Sequence, residues 1–172
     1  DKFRGMGISF CATCDANFFR GLDVYVAGGG DSAIEEAMYL TKFARKVTVI
    51  HRRNELRAAK SIQEKAFANE KLSFIWDSVV DEALGDDVLN GLVIKNVKTG
   101  ELTTIKADEA DGMIGLFGFL GMIPNTERLE GCGIELKDGY IAADETTKTN
   151  IDGVFAAGDI RIKALRQVVT AV

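Results

Sequence analysis

The sequence predicts an α/β fold built on a parallel sheet, and three observations point to it. Short, β-branched apolar segments alternate with segments whose apolar residues recur at helical spacing. A run of three glycines, Gly28 to Gly30, directly follows the first of these apolar segments. Between residues 72 and 107, several strand-like segments follow one another at short intervals, which is typical of an antiparallel β-meander.

The first half of the chain reads as strand, helix, strand, helix, which implies parallel strands joined by right-handed crossovers. The strands are indicated by runs rich in Val and Ile, and the helices by apolar residues three and four positions apart. Asp31 or Ser32 is expected to cap the first helix. The predicted strands cover residues 22–27 and 46–50, and the predicted helices cover residues 31–43 and 55–67.

The middle of the chain changes to strands without helices. Turns such as Asp86-Asp87 and Thr99-Gly100 separate these strands, which we expect to form a small antiparallel layer beside the parallel sheet. A further buried strand is predicted over residues 112–120. The predicted meander strands cover residues 72–76, 78–83, 92–97 and 102–107.

Pro124, the one proline of the sequence, marks a predicted domain boundary. Residues 1–122 are expected to form the first domain, and residues 123–172 to belong to a second one. The second part is expected to contain a hairpin over residues 134–143 and a short buried strand over residues 154–159.

The composition excludes some classes of partner. The net charge of −5 argues against nucleic acid and against an anionic membrane surface. No apolar run approaches the ~20 residues that span a bilayer, and the N-terminus carries neither an initiator Met nor the apolar core of a signal peptide. Three cysteines are too few for a secreted disulfide framework. We therefore expect a cytoplasmic protein, of which this chain is a piece.

The glycine run fits the pattern G-x-G-x-x-A of dinucleotide-binding turns. The first glycine makes the turn, the second lets the backbone approach a pyrophosphate, and the small last residue lets the helix pack on the strand. N–H groups at the start of the following helix then face the phosphates. The alternative is a glycine-rich turn that binds nothing. The predicted Rossmann-like site consists of Gly28, Gly29, Gly30, Asp31, Ser32 and Ala33.

A basic cluster stands at the end of the second strand, where an NAD site usually carries an acidic residue. A carboxylate would repel a 2′-phosphate, whereas guanidinium groups bind it, so this cluster favours NADPH over NADH. The alternatives are a solvated basic patch for the arginines and a merely polar strand end for the histidine. The cluster consists of His51, Arg52, Arg53 and Arg57.

Cys11 and Cys14 form a C-x-x-C pair, followed directly by Asp15. Two sulfurs at this spacing can join, and one thiolate can attack another disulfide. The carboxylate of Asp15 could move a proton to or from a thiolate or a flavin. Two alternatives are a pair of inert cysteines and a zinc site formed with Cys132 and His51; zinc is disfavoured because Cys132 lacks a paired cysteine.

Taken together, these segments closely resemble the low-molecular-weight thioredoxin reductases of bacterial type. The flavin subunit of alkyl hydroperoxide reductase shares the dithiol and the glycine turn but does not typically carry the His-Arg-Arg cluster. The resemblance rests on Cys11-Ala-Thr-Cys14-Asp15, Gly28 to Ala33, His51 to Arg57, Pro124-Asn-Thr126, Gly158-Asp159 and Arg166-Gln167.

The resemblance implies the roles of further residues. Residues 1–122 would be the NADPH-binding domain, and residues 123–172 part of the C-terminal segment of an FAD-binding domain. Cys14 would be the flavin-proximal sulfur, Cys11 the sulfur that attacks thioredoxin, and Asp15 the acid–base group. The flavin-binding residues would be Gly158 and Asp159 on the ribityl side, and Arg166 and Gln167 near the isoalloxazine.

The implied activity is that of an NADPH-dependent thioredoxin-disulfide reductase, which is a homodimer when full length. Electrons would pass from NADPH to FAD, then to the Cys11–Cys14 disulfide and then to thioredoxin. Two other readings stay open: a related flavoprotein that serves a peroxiredoxin or other dithiol partner, and a non-catalytic NADPH-binding fragment. No second glycine turn, which would bind the ADP part of FAD, precedes Cys11. We therefore expect this piece alone to bind NADPH, to bind FAD weakly or not at all, and to have little disulfide reductase activity. Gly118 also departs from the family, which usually has a branched or small apolar residue there.

Overall fold

A computed structural model describes residues 2–121 and 123–163. The chain divides into two units, Asp1–Leu120 and Gly121–Val172, and each is treated by itself below. The assignment of residues 1–122 and 123–172 to two cofactor-binding domains stays a prediction.

The first unit is centred on a five-stranded parallel sheet with the strand order β1-β8-β2-β3-β4. This confirms the predicted α/β fold with a parallel sheet. The strands are β1 (Ile8–Ser9), β2 (Asp23–Ala27), β3 (Lys46–Ile50), β4 (Leu72–Ile75) and β8 (Gly115–Gly118).

An antiparallel sheet forms a second layer of this unit, with the strand order β5-β6-β7. The predicted meander is therefore present, with one correction. Segment 72–76 was expected in it, but β4 pairs in parallel with β3 instead, from Leu72 opposite Val47 to Ile75 opposite Ile50. The strands are β5 (Ser78–Leu84), β6 (Gly91–Asn96) and β7 (Leu102–Lys106).

Helices form the third layer. They are α1 (Ala12–Asp15), which a 3₁₀ turn over Ala16–Phe19 continues, α2 (Asp31–Leu40) and α3 (Lys60–Phe67). Within residues 2–121 and 123–163, none of the helices has the length and apolar character needed to cross a membrane.

The parallel sheet is buried on both faces by its alternating side chains. On β2, Val24 and Val26 pack with the helices in one core, whereas Tyr25 and Ala27 pack towards Leu89 and Leu92 in the core shared with the antiparallel sheet. This arrangement explains why β2 and β3 read as nearly continuous apolar runs.

Two helix boundaries differ from those predicted. Helix α2 ends at Leu40 rather than at residue 43, because the N–H of Lys42 bonds to the carbonyl of Tyr39 in a tighter turn. Helix α3 begins at Lys60 rather than at residue 55, because the preceding N–H groups bond to the glycine turn instead of starting a helix.

The second unit contains a small hairpin, β9 (Leu136–Lys137) and β10 (Tyr140–Ile141), as expected for residues 134–143. Asp138 and Gly139 both have positive φ angles, 52° and 81°, which suits a two-residue turn of this kind. The strand predicted over residues 154–159 is wrong. Val154 and Phe155 are exposed, and within residues 2–121 and 123–163 the pairing of Phe155 is an isolated bridge with Lys148 rather than part of a sheet.

The two glycines of β8 give a stability prediction. A Cβ at Gly115 would lie 2.6 Å from Cδ1 of Phe19, a ring that is buried against Phe117. We expect Gly115→Ala to lower the free energy of unfolding by about 1–3 kcal/mol, because a packed core resists added volume. Urea-induced unfolding of the purified variant measures this loss.

Gly118→Ala on the same strand is the matched control. There a Cβ would meet only the ring of Phe10, at 3.0 Å, and that ring is 58% exposed and can move aside. We expect a change of less than about 0.5 kcal/mol, typical of a site that is not constrained. An equal loss in both variants would contradict the packing argument.

Candidate functional site

The five parallel strands end at the same edge of the sheet, and the segments that follow β1, β2 and β3 carry the predicted site residues of this unit. In register, Ser9 lies opposite Phe117, and Ala27 lies opposite both Gly118 and Ile50. Strand β8 separates β1 from β2, so Ser9 and Val26, which are in register across Phe117, lie about 10 Å apart, or two strand spacings. After β2 the chain adds β3 and β4 to one side of β2, and it later adds β8 to the opposite side of β2, so the direction of strand addition reverses at β2. Ligands bind at such switch points in open α/β sheets.

The glycine turn is shaped by close backbone contacts. Gly28 has φ +151°, and its N–H donates to the carbonyl of Ile50 (3.1 Å). A Cβ at Gly28 would lie 2.6 Å from the carbonyl oxygen of Phe119 and 2.7 Å from Cβ of Ala33. At Gly30, by contrast, a Cβ would meet nothing within 4 Å. The turn is therefore closed on the protein side at Gly28 and open at Gly30, where helix α2 begins.

His51 fills the space beside Gly29, since a Cβ on that glycine would overlap the imidazole ring. The ring is buried, stands edge-on to Trp76, and its Nε2 has no hydrogen-bond partner within the described part of the chain. Burial lowers the pKa of His51 below 6.5, with help from the charge of Arg53, and a backbone hydrogen bond with Glu55 opposes this. The lowered pKa favours the neutral form of the ring.

The charges of the three predicted arginines act on this ring. Arg53, Arg52 and Arg57 each contribute a positive charge that lowers the pKa of His51, in that order of size. All three side chains are exposed, and none forms an ion pair with another residue in the ranges 2–121 and 123–163. Three uncompensated guanidinium groups next to a glycine turn make a site that suits a phosphate group.

Hydrogen bonds tie the basic segment, which we define as residues 51–59, to the glycine turn. The carbonyl of Gly29 accepts from the N–H groups of Arg57 (2.7 Å) and Ala58 (3.2 Å). The carboxylate of Asp31 accepts from the N–H of Ala59 (2.7 Å). The expected capping of α2 by Asp31 or Ser32 is therefore wrong: Gly30 is the N-cap residue and no side chain caps that end.

The dithiol lies where β1 leaves the sheet. A disulfide joins Cys11 and Cys14, whose Cα atoms are 5.3 Å apart. Cys11 is the N-cap residue of α1, and its sulfur accepts from the N–H of Cys14 (3.2 Å). Cys14 is exposed and Cys11 half-buried, so the disulfide is accessible from outside this unit.

Asp15 is held by Ser9, a residue that the sequence analysis missed. The hydroxyl of Ser9 donates to a carboxylate oxygen of Asp15 (2.6 Å) and accepts from the N–H of Cys11 (3.2 Å). Ser9 is buried and Asp15 is half-buried. The Ser9 hydroxyl thus links the carboxylate of Asp15, the candidate acid–base group, to the backbone of Cys11, one of the two candidate redox cysteines.

The predicted flavin residues belong to the second unit. Gly158 has φ +89°, and the exposed carboxylate of Asp159 forms an ion pair with Lys163 (3.0 Å). Arg166 and Gln167 lie outside the described residues. The structure brings together the dithiol, the glycine turn and the basic cluster within the first unit, and it describes Gly158 and Asp159 separately.

The structure does not support the alternative of a zinc site formed by Cys11, Cys14, Cys132 and His51. Cys11 and Cys14 are bonded to each other, and Cys132 is an exposed free cysteine of the second unit. Over residues 2–121 and 123–163, no group of three or more His, Cys, Asp or Glu side chains is placed to hold a metal ion.

Comparison with known proteins places these features in a family context. The sequence pattern of the pyridine nucleotide-disulphide oxidoreductases matches residues 1–172. A thioredoxin reductase from Peptoclostridium litorale is 60% identical over 171 residues, which cover 99% of this chain and 54% of that relative.

Two solved structures show the same similarity. Thioredoxin reductase from Streptococcus pyogenes is 50% identical with a TM-score of 0.80, over 96% of this chain and 53% of that one. Lactococcus lactis thioredoxin reductase (FR conformation) is 47% identical with a TM-score of 0.78, over 99% and 55%. The chain therefore spans about half the length of the proteins that it matches.

Proposed function

The chain belongs to the pyridine nucleotide-disulphide oxidoreductase family, and from this premise we propose that it acts within an NADPH-dependent thioredoxin-disulfide reductase. The observation that carries the proposal is the position of the Cys11–Cys14 disulfide at the same sheet edge as the glycine turn. A source of electrons and a disulfide that accepts them then share one structural unit. The relatives named thioredoxin reductase indicate the protein substrate.

The residues at the turn fit a phosphorylated dinucleotide. Gly30 leaves open the space in front of the ten-residue helix α2, whose first N–H groups can bind a pyrophosphate. Arg52, Arg53 and Arg57 lie exposed beside His51 and would hold a 2′-phosphate. Ser32 adds an exposed hydroxyl at the start of the same helix.

In the proposed reaction, bound NADPH and FAD supply two electrons to the Cys11–Cys14 disulfide. Its S–S bond breaks, and Cys11 attacks a sulfur of the thioredoxin disulfide, which forms a mixed disulfide and releases one thioredoxin thiolate. Cys14 then displaces the second thioredoxin sulfur and restores the Cys11–Cys14 bond. Asp15, oriented by Ser9, is suited to deliver the protons that the leaving thiolates require.

The proposed flavin-binding residues follow from the resemblance to thioredoxin reductases. Gly158 and Asp159 would face the ribityl chain, and Asp159 offers carboxylate oxygens that are exposed. Arg166 and Gln167 would lie near the isoalloxazine. The division into an NADPH-binding domain (1–122) and part of an FAD-binding domain (123–172), the homodimer and the cytoplasmic location belong to the same proposal.

The test uses the full-length protein, oxidised thioredoxin and NADPH, with free thiols and NADPH consumption measured together. We expect one NADPH oxidised for each thioredoxin disulfide reduced, and a yellow, flavin-containing sample. Reduction of a peroxiredoxin but not of thioredoxin would instead favour the related flavoprotein. Oxidation of NADPH without any change in protein thiols would overturn the proposal.

A further inference from the structure

We infer that Asp31 is a positioning residue, which sets the preference for NADPH by holding the basic segment and does not itself bind the coenzyme. This inference rests on the proposed function, because it concerns the same site. It also changes the role expected for Asp31, which the glycine pattern placed among the cofactor-binding residues.

The contact that carries the inference joins two elements distant in sequence. Asp31 is the first residue of α2, and its Oδ1 accepts from the N–H of Ala59 at 2.7 Å. Ala59 is the N-cap residue of α3 and makes no side-chain capping bond of its own. Asp31 therefore accepts from the backbone N–H of the N-cap residue, the bond that a Glu or Gln at the third helical position makes in a capping box. Ile62 occupies that position in α3, and its side chain has no acceptor.

This contact is the third of three hydrogen bonds that consecutive backbone N–H groups make to the glycine turn. The N–H groups of Arg57 and Ala58 bond to the carbonyl of Gly29, and the next N–H in sequence, that of Ala59, bonds to Asp31. Three consecutive N–H groups are thus held by the turn over residues 29–31. The row fixes the backbone of Arg57 against the turn where the pyrophosphate would lie.

The other side of the basic segment is held independently. The carbonyl of Arg53 accepts from the N–H of Asp77 (3.1 Å), and the carbonyl of Ala58 accepts from the side-chain amide of Gln63 (2.7 Å). The segment therefore keeps its fold without Asp31, and loss of the Asp31 contact should loosen only its junction with the turn. Arg57 stands at that junction.

Charge gives a second reason for an indirect role. A carboxylate at the first position of α2 would repel a pyrophosphate that binds there, whereas the N-terminus of a helix favours a negative charge. In the structure this carboxylate accepts a hydrogen bond from Ala59, which draws it towards the basic segment. The Asp31 carboxylate would then favour binding only through the arginine contacts to a 2′-phosphate, a group that NADH lacks.

The experiment compares Asp31→Ala with Asp31→Asn in the full-length protein, with the dissociation constants of NADPH and NADH as the readout. Asp31→Ala removes both the acceptor and the charge, while Asp31→Asn removes the charge and keeps an acceptor for Ala59. Both variants lose the same charge, so the difference between their ratios of the NADPH and NADH dissociation constants isolates the positioning effect.

We expect Asp31→Ala to lower the preference for NADPH about fivefold to tenfold, the value of one hydrogen bond, with Asp31→Asn within about twofold of wild type. Equal ratios in all three proteins, or an equal fall in both variants, would overturn the inference. A wild type without preference for NADPH would instead refute the proposed function. Thermal unfolding of each variant checks that the fold is intact.

Discussion

Replacing Cys14 with serine in the full-length protein is expected to abolish thioredoxin reduction. Serine oxygen cannot form the S–S bond that joins Cys11 and Cys14, so the variant has no disulfide to accept electrons. We expect the rate of thioredoxin reduction to fall by roughly 10⁴-fold or more, as when a catalytic nucleophile is removed. The rate is measured from thioredoxin thiols released with excess NADPH.

The same variant separates the two halves of the reaction. Bleaching of the flavin by NADPH should persist in Cys14→Ser, because the dinucleotide turn and the basic cluster are unchanged. Cys132→Ser is the matched control: Cys132 is an exposed free cysteine, and its loss should leave the rate within about twofold of wild type, as for most surface changes. Thioredoxin turnover retained in Cys14→Ser would remove this cysteine from the mechanism.

Arg52→Ala together with Arg53→Ala is expected to weaken NADPH binding far more than NADH binding. Two charge-assisted contacts to a 2′-phosphate are lost, which should raise the NADPH dissociation constant about 30-fold to 1000-fold. The NADH dissociation constant should change less than about threefold, because that coenzyme has a hydroxyl at the same position. Both constants are measured by titration at one fixed ionic strength, since salt screens such exposed contacts.

A control must remove the same amount of charge elsewhere. Lys95 and Lys106 are exposed lysines of the antiparallel sheet, and the double variant Lys95→Ala, Lys106→Ala lowers the net charge equally. We expect it to affect the two coenzymes alike and weakly. If the arginine variant lost affinity for both coenzymes to the same degree, the 2′-phosphate assignment would be wrong.

Local sequence patterns predicted most of the elements, but not how they pair. Strand β3 has the predicted bounds, because a β-branched run between charged residues is clear by itself. Strand β4 was also predicted as a strand, but its pairing partner β3 lies across a connection that contains α3, and the period of the apolar residues does not show which strands pair. The start of α3 was missed for a related reason: the carbonyl of Gly29 and the carboxylate of Asp31 bind the N–H groups that would have begun the helix.

The candidate site was predicted where chemistry depends on residue types at short spacing. The C-x-x-C pair and the glycine turn are of this kind. Ser9 was missed because a serine two residues before a cysteine is common, and only the fold brings its hydroxyl to Asp15. The burial of His51 also depends on tertiary contacts, namely the lack of a side chain on Gly29 and the ring of Trp76. Whether His51 contacts the coenzyme stays a prediction.

Strand β1 is two residues long, yet it is an integral part of the sheet. Ile8 and Ser9 pair with β8, the N–H of Leu116 donates to the carbonyl of Gly7 (2.8 Å), and Ala12 is fully buried in the same core as α2. The disulfide and the proposed nucleotide crevice therefore move as one body, at a fixed separation. A reorientation that presents the disulfide to a bulky protein substrate must carry the crevice through the same angle. Under the proposed function, electron uptake and electron delivery would then alternate in time.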